Sequence, residues 1–168
     1  TDHIIHGKLD ICVMVSNVGY ATSGGHMTSQ DTQTNWNGIT GDISLIISDK
    51  TGIRNIQAYP NVKNRSIRLV FELDGIGSAD VNVWGVSSDC KTVDSKSYRI
   101  TSDSPEILVD LGDDVSLWSE HTPVTYTLKA AIEGSSDIST VTFGMRDFSA
   151  DGMHFKINGE QVFLRGKH

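Results

Sequence analysis

Alternation of apolar and polar residues is the feature that most constrains how this chain folds. In the stretch 66–73, apolar residues take every second position and share one face of an extended chain: Ile67, Leu69, Phe71 and Leu73. A period of two is the repeat of a strand with one buried face, whereas an amphipathic helix repeats every ~3.6 residues. No helical stripe is sustained anywhere in the sequence. We therefore predict an all-β chain.

The same alternation predicts further strands and a sandwich architecture. These strands fall at residues 9–16, 42–48, 52–59, 79–83, 97–101, 106–110, 124–132 and 139–148. Turn-forming clusters such as 74–77 and 133–136 separate them, so that a strand arrives about every 10 to 15 residues. Many short strands at this spacing are typical of a β-sandwich, in which two antiparallel sheets pack face to face.

One long polar segment divides the chain. Residues 19–37 are mostly Gly, Ser, Thr, Gln, Asn and Asp, and the segment is too long for an ordinary hairpin connection, so it is either disordered or functional. The strands at 9–16 and 42–48 would be joined across it and belong to a different sheet from the strands that follow. We place a boundary in the polar stretch 48–52.

A hairpin is predicted close to the C-terminal end. Asn158-Gly159 separates the apolar runs 155–157 and 161–164, and an Asn-Gly pair in this setting is the strongest short-range indication of a hairpin. The second strand carries Phe163 and Leu164, and the sequence after it is too short to supply apolar partners for them. We therefore expect those partners to belong to a further domain.

Composition narrows the partners that this chain can bind. The sequence has 21 acidic and 14 basic residues and a net charge of −7, so its surface would repel phosphate backbones and anionic lipids. No window approaches the roughly 18 consecutive apolar residues of a membrane helix. We expect neither nucleic acid nor a membrane as a partner.

The sequence carries few patterns typical of catalysis or metal binding. Cys12 and Cys90 match no metal-ligand spacing, and we favour two buried thiols over a disulfide. No phosphate-binding glycine loop, His-Glu-x-x-His helix or Gly-x-Ser-x-Gly elbow is present. Acidic residues such as Asp113, Asp114 and Asp147 are interpreted as turn or surface residues. We expect no cofactor and no metal.

Two large side chains are interpreted in structural terms. Trp118 precedes a turn and an alternating run, which favours a core aromatic where the sandwich chain enters its next strand. Arg146 either makes a bidentate contact with a neighbouring carboxylate or carbonyl, or is simply solvated.

Four stretches stand out when they are taken in order: GKLDICVMVSN (7–17), NWNGITGDISL (35–45), LWSEHTPVTYTL (117–128), and FGMR (143–146) with FKINGEQVFLRG (155–166). Together they resemble glycoside hydrolase family 2, the β-galactosidase, β-glucuronidase and β-mannosidase group. The first two are similar to the closing strands of the family's sugar-binding jelly roll. The third resembles the "LWSPENPxLYTL" signature of the following immunoglobulin-like domain. The fourth resembles "GxR … FxLNGxxxxLRG", where the family's chain reaches its catalytic barrel.

The resemblance implies a three-part chain without catalytic residues. Residues 1–49 would be the C-terminal part of the jelly roll, 50–154 the immunoglobulin-like β-sandwich, and 155–168 a β-hairpin entering a missing (β/α)8 barrel. The family hydrolyses β-linked glycosides with retention, using two barrel glutamates that lie outside these residues. The implied function is a non-catalytic fragment of a β-galactosidase-like exo-glycosidase, whose β-linked glycoside substrate binds through the missing barrel.

The resemblance also implies three residues near the substrate. Asp31 and Asn35 lie in or next to the long polar segment, which matches a family loop that reaches the barrel mouth. His168 occupies a position near the first barrel strand where relatives usually have asparagine. Gly41, where relatives favour arginine, is a second departure, and together the two departures indicate an unusual subgroup.

Other functions stay open at this point. A free-standing carbohydrate-binding module would present an exposed aromatic platform, for which Trp36 and Trp84 are the candidates. An immunoglobulin-like domain with a purely structural or adhesive role is a third alternative. We also expect homo-oligomers formed through exposed strand edges, and a periplasmic or secreted location.

Overall fold

The computed structural model describes residues 11–16, 38–39, 41–44 and 51–166. Every regular element among these residues is a β-strand, and none of them forms a helix able to span a bilayer. All strand pairings are antiparallel, and the prediction of an all-β chain is confirmed. The strands are β1 (Gly52–Asn61), β2 (Ser66–Asp74), β3 (Ser78–Ser87), β4 (Thr92–Thr101), β5 (Glu106–Asp110), β6 (Tyr126–Ile132), β7 (Ser139–Phe143), β8 (Phe148–Asp151), β9 (His154–Ile157) and β10 (Glu160–Val162).

Strands β1 to β7 form two sheets that share one core. One sheet has the order β1-β2-β5 and the other the order β4-β3-β6-β7, so the chain changes sheets between β2 and β3, β4 and β5, and β5 and β6. Between the two sheets, the Ser139 hydroxyl donates a hydrogen bond of 3.1 Å to the carbonyl of Ile53. This arrangement confirms the predicted β-sandwich.

The core consists of the alternating apolar residues that the sequence places on one face of each strand. Ile67 and Leu69 of β2 are fully buried, and Val81 and Val83 of β3 are buried in the other sheet. Burying such a side chain contributes about 1.5–3 kcal/mol, and a slip of one residue in register would expose all of them. The other core residues are Ile56, Phe71, Ala79, Ile100, Ile107, Val109, Tyr126, Leu128, Ala130, Phe143 and Met145.

Strands β8, β9 and β10 form a separate sheet in the order β10-β9-β8. The predicted Asn-Gly hairpin is present: Asn158 and Gly159 have φ angles of 52° and 86° and connect β9 to β10. Two consecutive left-handed residues are what a type I′ turn requires, and this turn matches the natural twist of two paired strands.

The single strand predicted over residues 139–148 is wrong. Strand β7 ends at Phe143 and β8 begins at Phe148. Between them, the carbonyl of Met145 accepts a hydrogen bond of 3.0 Å from the backbone N–H of Trp118. The chain therefore leaves the ladder of β7 and pairs locally with a different segment before it starts the third sheet.

Other strand boundaries also differ from the sequence-based ones. Strand β4 begins at Thr92 rather than residue 97, and β6 begins at Tyr126 rather than residue 124. Residues 11–16 and 42–44 are exposed and outside any strand, so the strands predicted there are wrong at these positions. A strand needs a neighbour for its backbone N–H and C=O groups, and alternation alone does not supply one.

By its internal contacts the chain divides into two compact units, Thr1–Ile46 and Ile47–His168. The domain names taken from the family resemblance stay a prediction. Cys12 and Cys90 are both free and exposed, so the expectation of two buried thiols is wrong. Cys90 lies in the turn between β3 and β4, with a left-handed φ of 70°, and a surface turn leaves its thiol in solvent.

Candidate functional site

The residues predicted to lie near the substrate are outside the described part of the chain. Asp31, Asn35 and His168 all belong to segments that the structure does not describe, so their contact with a sugar stays a prediction. The same holds for Trp36. Within residues 51–166, we find two features with functional geometry, one around Asn158 and one around Trp84.

Asn158 joins three segments that are far apart in sequence. Its amide nitrogen donates to the carbonyls of Trp118 at 2.9 Å and Met145 at 3.2 Å, and its side-chain oxygen accepts from the backbone N–H of Asp147 at 2.7 Å. The backbone N–H of Asn158 donates to the carbonyl of Asp147 at 2.9 Å. Both amide hydrogens and the amide oxygen are thus used. We call these residues, together with Gly144 and Arg146, the Asn158 junction.

Trp118 packs directly on the backbone of the junction. A Cβ on Gly144 would lie 2.9 Å from three atoms of the Trp118 side chain, which is too close for any residue but glycine. The guanidinium carbon of Arg146 is 5.2 Å from the centre of the indole ring, a cation–π distance. Arg146 is exposed, as the alternative of a solvated side chain predicted. Its partner is an aromatic ring rather than a carboxylate or a carbonyl.

The segment between β5 and β6 is fastened to the β3–β4 turn by polar and charged groups. The Ser116 hydroxyl donates to Asp89 at 2.6 Å, and the Lys91 ammonium donates to the carboxylate of Asp114 at 2.9 Å. Hydrogen bonds from Ser116 and then Ser87 hold the pKa of Asp89 below its usual value. The hydrogen bond to Asp114 raises the pKa of Lys91. We call this group the Asp89 latch.

The acids interpreted as turn or surface residues are indeed on the surface. Asp113, Asp114 and Asp147 are exposed. Asp113 forms an ion pair with Arg65 at 2.6 Å, beside the pair of Asp114 with Lys91. Exposed pairs of this kind contribute little to stability, about 0–1 kcal/mol.

A cleft of about 490 Å³ opens beside the junction, between the 117–122 loop and the β9–β10 hairpin. The loop is held in shape by a hydrogen bond of 2.8 Å between the hydroxyls of Ser119 and Thr122. At its rim, Nε2 of His121 lies 3.5 Å from Oε1 of Glu120. The part of the chain that the structure describes holds no cluster of three metal-binding side chains.

The third sheet and the residues after it expose large apolar side chains. Phe148 and Phe155 are stacked with ring centres 5.5 Å apart, and both are exposed. Phe163 and Leu164, just after β10, are 75% and 66% exposed. Several exposed large apolar residues on one small element are typical of a surface that another element covers.

Trp84 lines a groove of about 560 Å³ on the outer face of the four-stranded sheet. Its neighbour Val83 points into the core, so Trp84 points away from it, half-buried. Trp84 therefore lies on the outer face, as the alternative of an exposed aromatic platform requires. The other residues lining this Trp84 groove are Asn82, Ser95, Ala131, Ile132, Glu133, Gly134 and Ser135.

The side-chain role of Asn158 and the polar residues of the Trp84 groove were not predicted from the sequence. Asn158 was interpreted only as a turn residue, and the one indication of a larger role was its place inside a family-like stretch. Asn82 and Glu133 meet Trp84 only because β3 pairs with β6, and sequence spacing alone does not show that pairing.

No family model matches this chain, and no curated protein is significantly similar to it. Solved structures do match: a β-D-glucuronidase of Dictyoglomus thermophilum is 21% identical with a TM-score of 0.50, over 70% of this chain and 19% of that one. A β-glucuronidase of Ruminococcus gnavus in complex with uronic isofagomine is 14% identical with a TM-score of 0.55, over 70% of this chain and 18% of that one. The chain spans about a fifth of the length of these structures. At such identities the likeness shows a shared fold, so the β-sandwich is similar to a part of these β-glucuronidases.

Proposed function

We propose that this chain is the non-catalytic β-sandwich portion of a retaining exo-glycosidase of glycoside hydrolase family 2. The fold that it shares with part of two β-glucuronidases supports a relation to glycosidases. The order of family-like motifs along the chain supports the family. In this proposal residues 1–49 belong to a jelly roll, 50–154 to an immunoglobulin-like sandwich, and 155–168 lead into a catalytic barrel.

One observation carries the proposal: the last two of the four family-like stretches, which comprise three segments, meet at the Asn158 junction. Trp118 belongs to LWSEHTPVTYTL, Met145 to FGMR, and Asn158 to FKINGEQVFLRG. One amide group joins all three, across 40 residues in the case of Trp118. These segments are distant in sequence but form one junction in the folded chain. A shared structural role would explain why they carry the resemblance together.

The proposed role of the junction is to fix the direction in which the β9–β10 hairpin leaves the sandwich. Its hydrogen bonds and the type I′ turn hold the hairpin, and Phe163 and Leu164 project just beyond it. We propose that a catalytic domain packs on these two side chains. Correct placement matters because an error of about 1 Å at a catalytic centre can cost ~100-fold in rate.

In this proposal the reacting groups are two glutamates of the barrel, and the sandwich supports them. Asp31, Asn35 and His168 remain proposed neighbours of the sugar, which a carboxylate would hold by charge-assisted hydrogen bonds. The substrate is a β-linked glycoside, with a β-galactoside as the first expectation and a β-glucuronide suggested by the names of the similar structures. A periplasmic or secreted location is also proposed, and cell fractionation tests it.

The test compares this chain alone with the full-length product of its gene. Both are assayed with the p-nitrophenyl β-galactoside, β-glucuronide and β-mannoside. We expect the full-length protein to hydrolyse at least one of them with retention, seen by NMR of the first sugar anomer released, and this chain to hydrolyse none. Activity of this chain alone, or a folded full-length protein that is inactive or inverting, would contradict the proposal.

A further inference from the structure

We propose that the Trp84 groove is a binding site for a neutral β-linked saccharide. The proposal goes beyond the glycosidase function and does not depend on it, because a supporting sandwich needs no sugar site of its own. It rests on three observations: the backbone geometry that presents the indole, the hydrogen-bonding groups left free around it, and the charge of the lining.

Trp84 lies at a β-bulge. The pairing of β3 with β4 shifts between Val83 and Gly85, whereas on the other side Trp84 is regularly opposite Lys129 of β6. The extra residue is on β4, because Val83 pairs with Lys96 and Gly85 with Val93, so β4 is the strand that bends beside the indole. Bulges are frequent next to functional sites. The next residue, Gly85, lets β3 pack closely on β6, because a Cβ there would collide with the Thr127 carbonyl and with Leu128. The backbone thus fixes the position of the indole on the outer face.

Small residues leave room beside the indole. Ala131 of β6 is directly opposite Asn82 of β3 and lines the groove. Gly134, in the turn after β6, lines it further along. The volume of about 560 Å³ lies within the range of small-molecule sites, roughly 300–1,000 Å³. The groove is therefore large enough for one or two sugar rings.

The polar groups of the groove are available to a ligand. The side chains of Asn82, Ser95 and Glu133 form no hydrogen bond or ion pair with any residue in the described part of the chain. The Ser135 hydroxyl accepts from the backbone N–H of Asp137 at 3.1 Å and keeps its own hydrogen to donate. An amide and a hydroxyl both donate and accept, and a carboxylate accepts. This set matches the adjacent hydroxyls of a sugar.

The chemistry of the lining selects a neutral sugar. A β-linked pyranose with mainly equatorial substituents has a flat face of C–H groups, which packs against the negative face of an indole. Glu133 is the one charged residue among those that line the groove, and the chain carries a net charge of −7. Lys129, directly opposite Trp84 on β6, offsets the charge of Glu133, so the site has no net positive charge to hold an anionic sugar such as a uronic acid. The net charge of the chain disfavours an anionic sugar and nucleic acid alike.

The experiment titrates this chain with saccharides while NMR follows the indole N–H resonances of its three tryptophans. The probes are neutral β-linked oligosaccharides of glucose, galactose, mannose and xylose, with β-linked oligomannuronate as the anionic counterpart of oligomannose. We expect at least one neutral probe to shift the Trp84 resonance with millimolar affinity, and oligomannuronate to leave it unchanged. Trp84→Phe assigns the resonance.

Variants test the named contacts. We expect Trp84→Ala to weaken binding about tenfold, as for loss of a stacking aromatic, and Asn82→Ala to weaken it about fivefold. Because Trp84→Ala lacks the Trp84 resonance, binding by the variants is followed through the NMR signals of the saccharide. Tyr59→Ala, which removes an exposed aromatic from the other sheet, should leave binding unchanged. Should Trp84→Ala fail to fold, Asn82→Ala decides alone, and Glu133→Gln should improve binding of oligomannuronate.

Two outcomes would overturn the proposal. One is that no neutral probe shifts the Trp84 resonance, and the other is that binding persists unchanged in Trp84→Ala and Asn82→Ala. Neither outcome bears on the glycosidase function, which is tested separately by hydrolysis.

Discussion

Asn158 has two roles, and only one of them is visible in the sequence. The Asn-Gly pair predicts the turn because both residues tolerate a left-handed backbone. The side-chain role is hidden, because its acceptors are the carbonyls of Trp118 and Met145, 40 and 13 residues away. Every residue type has a carbonyl, so no spacing of residue types marks such partners. Burial of the alternating apolar residues, in contrast, follows from their chemistry and was predicted.

Replacing Asn158 by glycine tests the junction without straining the turn. Asn158→Gly keeps the left-handed backbone and removes three side-chain hydrogen bonds, so we expect the free energy of unfolding to fall by about 2 kcal/mol. Asn64→Gly is the control, because it adds the same freedom to the unfolded chain at an exposed turn position. Urea unfolding measures both, and equal losses in the two variants would show that the junction contributes nothing.

Gly144→Ala tests the contact with Trp118. The added Cβ meets the Trp118 side chain at 2.9 Å, so we expect a loss of about 1–3 kcal/mol, typical of overpacking, and a change in tryptophan fluorescence. Gly77→Ala is the matched control, since a Cβ there meets no atom within 4 Å. Native-like stability and fluorescence in Gly144→Ala would refute the close packing.

At the scale of elements, alternation predicted where most strands lie but not where they stop. The break between β7 and β8 depends on Trp118, whose backbone binds Met145 and whose ring covers Gly144. The sequence of residues 139–148 alone therefore does not show where the strand breaks. Likewise, the Asp89 latch is formed by residues from the β3–β4 turn and the β5–β6 connection. Its partners meet only once the two sheets have formed.

The latch gives a stability that depends on pH. Because the folded-state pKa of Asp89 is lowered, its contribution is complete above the unfolded pKa of about 3.9 and is lost as pH falls through the folded value. Ser116→Ala removes the largest cause of this shift. We expect the stability gap between wild type and Ser116→Ala to be largest near neutral pH and to shrink below pH ~4.

Urea unfolding between neutral and acidic pH measures this gap. Ser102→Ala, at an exposed position, is the control and should show a gap that does not change with pH. A Ser116→Ala gap that stays constant or grows on acidification would show that the hydroxyl does not stabilise the Asp89 carboxylate.

At the scale of the whole molecule, the sequence predicted the fold class, and the family resemblance supplied domain names that remain proposals. The exposed residues Phe148, Phe155, Phe163 and Leu164 form the clearest indication of a partner. Hydrophobicity identifies such residues in the sequence, but their exposure is a property of the folded chain. We expect either another domain or a second copy to cover a surface of this kind.

This chain alone should therefore associate with itself at high concentration. We expect its sedimentation coefficient to rise with concentration and Phe163→Ser to reduce this rise, because Phe163 is 75% exposed. Tyr59→Ser, at an exposed aromatic on the sandwich, should behave as wild type. A wild-type chain that stays strictly monomeric would refute the predicted homo-oligomer.

The most direct test of the glycosidase account is the kcat/KM of the full-length protein for the β-glycoside that it cleaves best, compared between Asn158→Gly and Asn64→Gly. The account predicts that Asn158→Gly lowers kcat/KM about tenfold or more in folded protein, because the hairpin no longer places the catalytic domain correctly, while Asn64→Gly behaves as wild type. Unchanged kcat/KM in a folded Asn158→Gly protein would contradict it.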